Sequence, residues 1–385
     1  MYTQAWMSKR FFSFFLTWGI FLPYWSGWMI LTKGVSVAEV SLIMSCGLLI
    51  RGISTLFLFP YLAEKVSSKT LLHVAGVGAL LAFCFYIPAT TFWQLLIVTV
   101  LVHIFYPAIM PALESIASIL VQNNALKQYG KARQWGSIGF ISIGIFITFF
   151  TSRYGDELLF WALLMGLAGF VLLTFLKAPA VLSTRPERDL QEKLSLSRLF
   201  RIPFFGITLL IVILIQASHA TYYNYGYVFI QTLDVPLYLI GLIINIAVIA
   251  EICFFSIVDK RFAGVSVATM LMLAAVGSSL RWILVFAFPT IIMFSIAQVL
   301  HAFSFALVHY AFLQFLIKHV PQPHIPKAQG LYSALALSWS TAVFTIFGGF
   351  LYEMEPRYAF IGMLVASIPA LGLALFYRKR ERSHS

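Results

Sequence analysis

The sequence predicts an all-α integral membrane protein, with twelve transmembrane helices in two six-helix bundles related by a pseudo-two-fold axis. Three observations lead there. The 385-residue chain is 61% hydrophobic and only 10% charged, whereas roughly 25% of a soluble domain is charged. Its apolar residues fall into twelve runs, and about 20 such residues in a helix cross the hydrocarbon layer. Short motifs also recur at nearly one interval in the two halves, the mark of parallel repeats.

The runs lie at roughly 11–31, 38–62, 70–88, 92–122, 133–151, 157–178, 203–231, 237–258, 265–287, 290–317, 328–351 and 357–377. Lipid offers an unpaired backbone group no partner, so nearly every residue in them must be helical. The first run lacks a small-residue cleavage site and is read as a helix, not a cleaved signal. The second carries Arg51 at its middle. The fourth contains Pro107 and Pro111, which disturb a helix, between His103 and Glu114, two residues that share a face. The seventh spaces Gln216, His219, Tyr223 and Tyr227. The tenth spaces Gln298, His301, Phe305 and His309 in the same way, each set within an arc of roughly 80°. Glu251 lies well inside the eighth run and Arg281 toward the outer end of the ninth.

A polar stretch from Ser183 to Arg201 divides the chain into a bundle at 1–182, a linker at 183–202 and a second bundle at 203–385. Glu64-Lys65 follows the second run and Asp259-Lys260 follows the eighth, 195 residues later; Lys131-Ala132 and Lys327-Ala328 precede the fifth and eleventh, 196 residues apart. Orientation follows from the basic residues. With the N-terminus inside, 21 Lys and Arg fall in cytoplasmic segments, Lys9 and Arg10 among them, against 3 outside. That asymmetry places both termini in the cytoplasm, at a bacterial inner membrane. Trp28, Trp93, Tyr352 and Tyr358 fall near the outer boundaries, as an aromatic belt does. The net charge of +12 is spread in clusters between apolar runs, which argues against nucleic acid as a partner. Cys46, Cys84 and Cys253 have neither zinc nor disulfide spacing and are read as small core residues.

A charge at the bilayer centre costs about 3 kcal/mol on insertion scales. Arg51, Glu114, Glu251 and Arg281 therefore point to a polar cavity fed by both bundles, with substrate near the midplane. Desolvation disfavours a charged carboxylate, which makes Glu251 the first choice for proton carrier; the alternative is a permanent ion pair with Arg281 or a hydrogen bond to His301. Arg281 needs an acid or a substrate carboxylate, or else snorkels to the outer interface. His219 and His301 suit substrate binding or proton relay. Arg51 fits a substrate carboxylate, unless it pairs with Glu114. Phe12, Phe15, Trp18 and Trp25 stack on an aromatic substrate or simply pack the bundle. No metal-ligating set and no cofactor is expected, and no nucleophile, phosphate loop or soluble catalytic domain suggests an enzyme.

Ala63-Glu64-Lys65 with Ser68-Lys69 resembles a degenerate form of the acidic-basic loop signature of the major facilitator superfamily. Pro111-Ala112-Leu113-Glu114, Tyr129-Gly130-Lys131-Ala132-Arg133 and Gly136 resemble the fourth and fifth helices of lactose permease, and Leu300-His301-Ala302-Phe303 its tenth. The 3-phenylpropionate permease branch is more similar still. Ser218-His219-Ala220 with Tyr222-Tyr223, Ala250-Glu251-Ile252, Arg281-Trp282, Leu300-His301-Ala302 with His309, and Gln329 to Leu335 all match it in order, over roughly residues 10 to 377.

The resemblance implies a monomeric carrier that takes up a small organic solute with a proton by alternating access. It implies sugar contact at Glu114 and Arg133 and proton coupling at Glu251, His301 and Arg281. The two stripes and the mid-helix cation suggest substrate contacts at Arg51, His219, Tyr223, Gln298 and His309, and the paired loops suggest a gate at Glu64, Lys65, Asp259 and Lys260. Lactose permease has its proton-carrying glutamate three residues after the tenth-helix histidine, and a lysine three before it. Here those positions are Ser304 and Gln298, so its coupling scheme cannot be copied. An aromatic monocarboxylate such as 3-phenylpropionate is the expected solute. A sugar or nucleoside symporter, an exporter, and a non-transporting sensor or scaffold are the rivals.

Overall fold

The computed structural model describes residues 2–182, 196–262, 264–321 and 324–384. Eleven helical stretches among them are long and apolar enough to cross a membrane, and the third run forms the shorter helix Ser68–Cys84. Two compact units result: Met1–Asp189 with Pro236–Leu242, and Leu190–Val235 with Ile243–Ser385.

The first unit contains α1 (Tyr2–Lys33), α2 (Val37–Ile53) running through a π turn into α3 (Phe59–Lys65), α4 (Ser68–Cys84), α5 (Phe92–Phe105), α6 (Ile109–Gln122), α7 (Tyr129–Tyr154) and α8 (Glu157–Phe175). α1 begins well before the expected start at residue 11. Arg10, expected in a cytoplasmic segment, is instead buried within it. Its guanidinium donates to the carbonyls of Trp6 and Leu173 and lies 3.4 Å from the Trp6 ring. Hydrogen bonding and stacking thus let the helix extend past a charge. Along α1, Phe14, Trp18, Phe21, Trp25 and Trp28 form a ladder of successive ring contacts. Glycines let α7 approach α1 closely. A Cβ on Gly139 would stand 2.5 Å from the Phe12 carbonyl oxygen, so any larger residue there forces the helices apart. The fourth run breaks at Tyr106–Ala108, where Pro107 lacks the N–H that would continue α5.

The second unit contains α9 (Leu196–Phe200), α10 (Phe205–Ala217), α11 (Ala220–Gln231), most of α12 (Leu237–Arg261), α13 (Val267–Ala287), α14 (Ile291–Val299), α15 (Val308–His319), α16 (Ile325–Ala334), α17 (Ser340–Met354), α18 (Tyr358–Ile361) and α19 (Leu364–His384). Small residues set its core: Ala268, Ala274 and Ala275 of α13 lie in one buried cluster with Ala370, Ala374 and Tyr377 of α19.

The internal repeat reaches the helix caps. Ser67 accepts from the Thr70 N–H and pairs with its hydroxyl; Ser266 does the same with Thr269. Thr91 caps α5 through the Gln94 N–H, and Thr290 caps α14 through the Met293 N–H. The cap pairs share one sequence interval, and each satisfies an orphan amide in the first helical turn.

Among the described residues, π turns lie at Ser54–Leu58, Ala302–Leu307 and Leu335–Trp339. They follow Arg51, His301 and Tyr332 within three residues, and such turns are frequent at functional sites. Two surface expectations need correction. Trp93 is 70% exposed and Tyr358 exposed, as belt residues should be, but Trp28 is 2% exposed and Tyr352 is buried. Trp28 instead stacks on Trp25 and Phe160. Cys253, expected in the core, is exposed on the apolar surface of α12.

Candidate functional site

In the first unit, Arg51 is half-buried on α2, its guanidinium 5.6 Å from the centre of the Trp18 ring. His103 of α5 is buried nearby and tilts against Phe21 at 5.6 Å. Its Nδ1 faces the Thr99 carbonyl at 2.8 Å; a carbonyl only accepts, so Nδ1 carries the proton. α2 reaches this ring because residue 47 is glycine: a Cβ there would lie 2.6 Å from it.

A second cluster joins α6 to α7. Arg133 Nε donates to Glu114 Oε1 at 3.1 Å, and the Tyr129 hydroxyl donates to Oε2 at 2.5 Å. The Arg133 guanidinium lies 4.1 Å above the Phe15 ring. Arg133 is therefore held by an acid and a ring and is more than an orienting charge at a helix end. Acid and base are each about one-third exposed, a setting in which an ion pair adds little stability and stays accessible to a ligand.

In the second unit, the network centres on Arg281. Snorkelling is ruled out, because the side chain is buried. Nη1 donates to His301 Nδ1 at 2.8 Å and Nη2 to Gln298 Oε1 at 2.6 Å. The guanidinium also sits 4.4 Å from the Tyr222 ring and 4.5 Å from the Trp282 ring. Gln298 Nε2 in turn donates to the Tyr222 hydroxyl at 2.9 Å.

An arginine can only donate. His301 Nδ1 must therefore accept, and the ring's proton sits on Nε2. That nitrogen is 4.0 Å from Glu251 Oε2. His301 cannot take a second proton without giving up its bond to Arg281. Glu251 is partly exposed while His301 is nearly closed off.

His219 has the opposite tautomer. Nδ1 donates to the Ile215 carbonyl at 3.0 Å, leaving Nε2 to accept from the Ser304 hydroxyl at 2.9 Å. Ser304, at the position where the resemblance leads one to expect an acid, thus serves as a neutral anchor. The Tyr223 ring stacks on His219 with centroids 5.9 Å apart, and Phe305 lies nearly parallel to His301 at 5.0 Å.

His309 separates from the tenth-run stripe. The π turn at Ala302–Leu307 lies between it and His301, so the uniform 100° step does not hold. Its ring joins Tyr332 instead, with Nδ1 3.1 Å from the hydroxyl, which also accepts from Gln216 Nε2 at 3.0 Å. Lys65 and Lys260 are exposed. The side chains of Glu64 and Asp259 lie outside the described residues. Sequence reasoning missed Tyr222, Tyr129 and Ser304 as partners of Arg281, Glu114 and His219. Tyr222 was detectable as the neighbour of Tyr223.

Long apolar helices, repeated caps and buried cations in both units define a multi-pass membrane transporter. The chain belongs to the MFS_1 like family, which it matches over residues 4–362, within the phenylpropionate permease branch of the major facilitator superfamily. It is 28% identical over 375 residues to the probable 3-phenylpropionic acid transporter of Escherichia coli (strain K12), covering 96% of this chain and 97% of that one. It is 26% identical over 320 residues to a maltose permease of Geobacillus stearothermophilus, covering 81% and 79%. The crystal structure of the nucleoside transporter NupG superposes with a TM-score of 0.83 at 17% identity, over 98% of this chain and 99% of that one. At that identity the likeness concerns the fold.

Proposed function

We propose that this protein imports a small aromatic monocarboxylate, of the 3-phenylpropionate kind, together with a proton and by alternating access. It acts as a monomer in a bacterial inner membrane with both termini in the cytoplasm. The observation that carries the reading is the setting of Arg51. Arg51 is half-buried beside Trp18, where a guanidinium and an indole together suit a carboxylate joined to an aromatic ring. The E. coli relative named for such an acid supports the same solute. Glu251 carries the proton, and His301 presents its Nε2–H toward it.

Radiolabelled 3-phenylpropionate uptake into proteoliposomes under an imposed pH gradient tests this. Glu251→Gln should lose accumulation against the gradient and keep exchange of labelled for unlabelled solute. Full uphill uptake by that variant removes the coupling role. A sugar symporter is the second reading, favoured by the Glu114–Arg133 pair over Phe15 and by the maltose permease relative. Maltose uptake in the same vesicles with no phenylpropionate uptake selects it.

A further inference from the structure

Away from those clusters, the N-terminal end of α4 and the C-terminal end of α8 enclose a groove of about 430 Å³, lined by Ser67, Lys69, Thr70, His73, Thr174 and Phe175. We propose that this groove binds the phosphate of an anionic glycerophospholipid, whose acyl chains run down α8. The inference is independent of what the protein transports.

The lining chemistry is that of an oxyanion site. It offers one ammonium, one imidazole and the hydroxyls of Ser67 and Thr70, and among the described residues no acid lines it. The Thr174 hydroxyl donates to the Val171 carbonyl at 2.6 Å, so its oxygen accepts from His73 Nδ1 at 2.9 Å. That bond ties α4 to α8 and fixes the imidazole edge-on to the Phe175 ring at 4.2 Å. With Nδ1 donating, the neutral ring's Nε2 is an acceptor, and it donates to a phosphate oxygen only once the ring is protonated. Lys69 is exposed, the state in which an ammonium is most readily shared with an anion at a membrane surface.

The surroundings select a lipid over free phosphate. From the groove, Phe175, Leu172, Met165 and Trp161 continue along α8 as exposed side chains, 63%, 68%, 65% and 42% accessible. Their spacing puts them on one face, the outer face of a helix that reads as membrane-spanning. Val74 and Leu81 of α4 are exposed as well. A polar cup with an apolar track leading from it, at the level where two spanning helices end, matches a headgroup and its chains.

The test uses the full-length protein, delipidated in detergent and titrated with phosphatidylglycerol, phosphatidylcholine or inorganic phosphate, with bound lipid read by native mass spectrometry. The wild type should retain phosphatidylglycerol in preference to phosphatidylcholine. Lys69→Ala should cut that preference about fivefold, the equivalent of about 1 kcal/mol for one basic residue at an anionic surface. Lys69→Arg should restore it, and Lys379→Ala on α19 should leave it unchanged. Equal losses in Lys69→Ala and Lys379→Ala reduce the effect to general surface charge and overturn the site. Displacement of the lipid by millimolar inorganic phosphate overturns the choice of a lipid. Thr174→Val, which frees His73 without removing a charge, gives a second check: an unchanged preference there rejects the groove.

Discussion

Arg51 and Arg281 are both guanidinium groups in apolar helices, yet the two units treat them differently. Arg281 is buried, bonded to His301 and Gln298, and flanked by Tyr222 and Trp282. Arg51 is half-buried and leans on the Trp18 indole. A buried charge with such partners is part of the folded structure, whereas a half-buried one keeps part of its surface accessible. Breaking a buried bond strands its other member, while removing a half-exposed group costs mainly what that group binds. The comparison also assigns work to the acids. Glu114 offsets Arg133 within the first unit, whereas Glu251 stands 4.0 Å from a histidine that is already engaged elsewhere.

The sharpest way to break this contrast is Arg281→Gln. It leaves His301 Nδ1 and Gln298 Oε1 without their donor and should lower stability by about 2–5 kcal/mol. Thermal unfolding in detergent reads the loss. A variant as stable as the wild type would make Arg281 a ligand-facing residue like Arg51. Next in size is Arg51→Gln. Stability should fall by less than in Arg281→Gln, because the half-buried side chain stays partly hydrated. Binding of 3-phenylpropionate, followed by calorimetry, should weaken at least ~10-fold through loss of a charge-assisted bond. A sugar or nucleoside carrier would lose far less. The smallest effect expected is that of Ser304→Ala, which removes one hydrogen bond to His219 at about 1 kcal/mol and leaves the pH dependence of uptake unaltered. A marked change in that dependence would show that Ser304 takes part in proton movement.

Much of this was legible in the chain. Hydropathy placed most spans to within several residues, the start of α1 excepted, because lipid leaves a long apolar run no alternative to helix. Pro107 announced the break between α5 and α6, since a missing N–H is a local property. The Glu114–Arg133 pair and the membership of Glu251, His301 and Arg281 in one neighbourhood followed from family resemblance. Three matters could not be read. Arg10 looked like a loop residue, and only the Leu173 carbonyl, distant in sequence, shows how it is accommodated. Trp28 looked like a belt residue until its stacking partners on other helices were known. The stripe joining His301 to His309 assumed a uniform step, and nothing in Ala302–Leu307 signals the π turn. In each case the deciding partner is a backbone group or a side chain far along the chain.

That loosened turn has an implication for the length of the tenth span. A π turn behaves like one retained extra residue, so shortening Ala302–Leu307 by a single position would restore a regular spiral. Everything beyond it would then keep its facing, with His309 still beside Tyr332, and only the residues of the wide turn would be re-aimed. For this stretch, spacing is as much an inherited trait as composition, and an alignment that closes a one-residue gap there would pair side chains that face different neighbours.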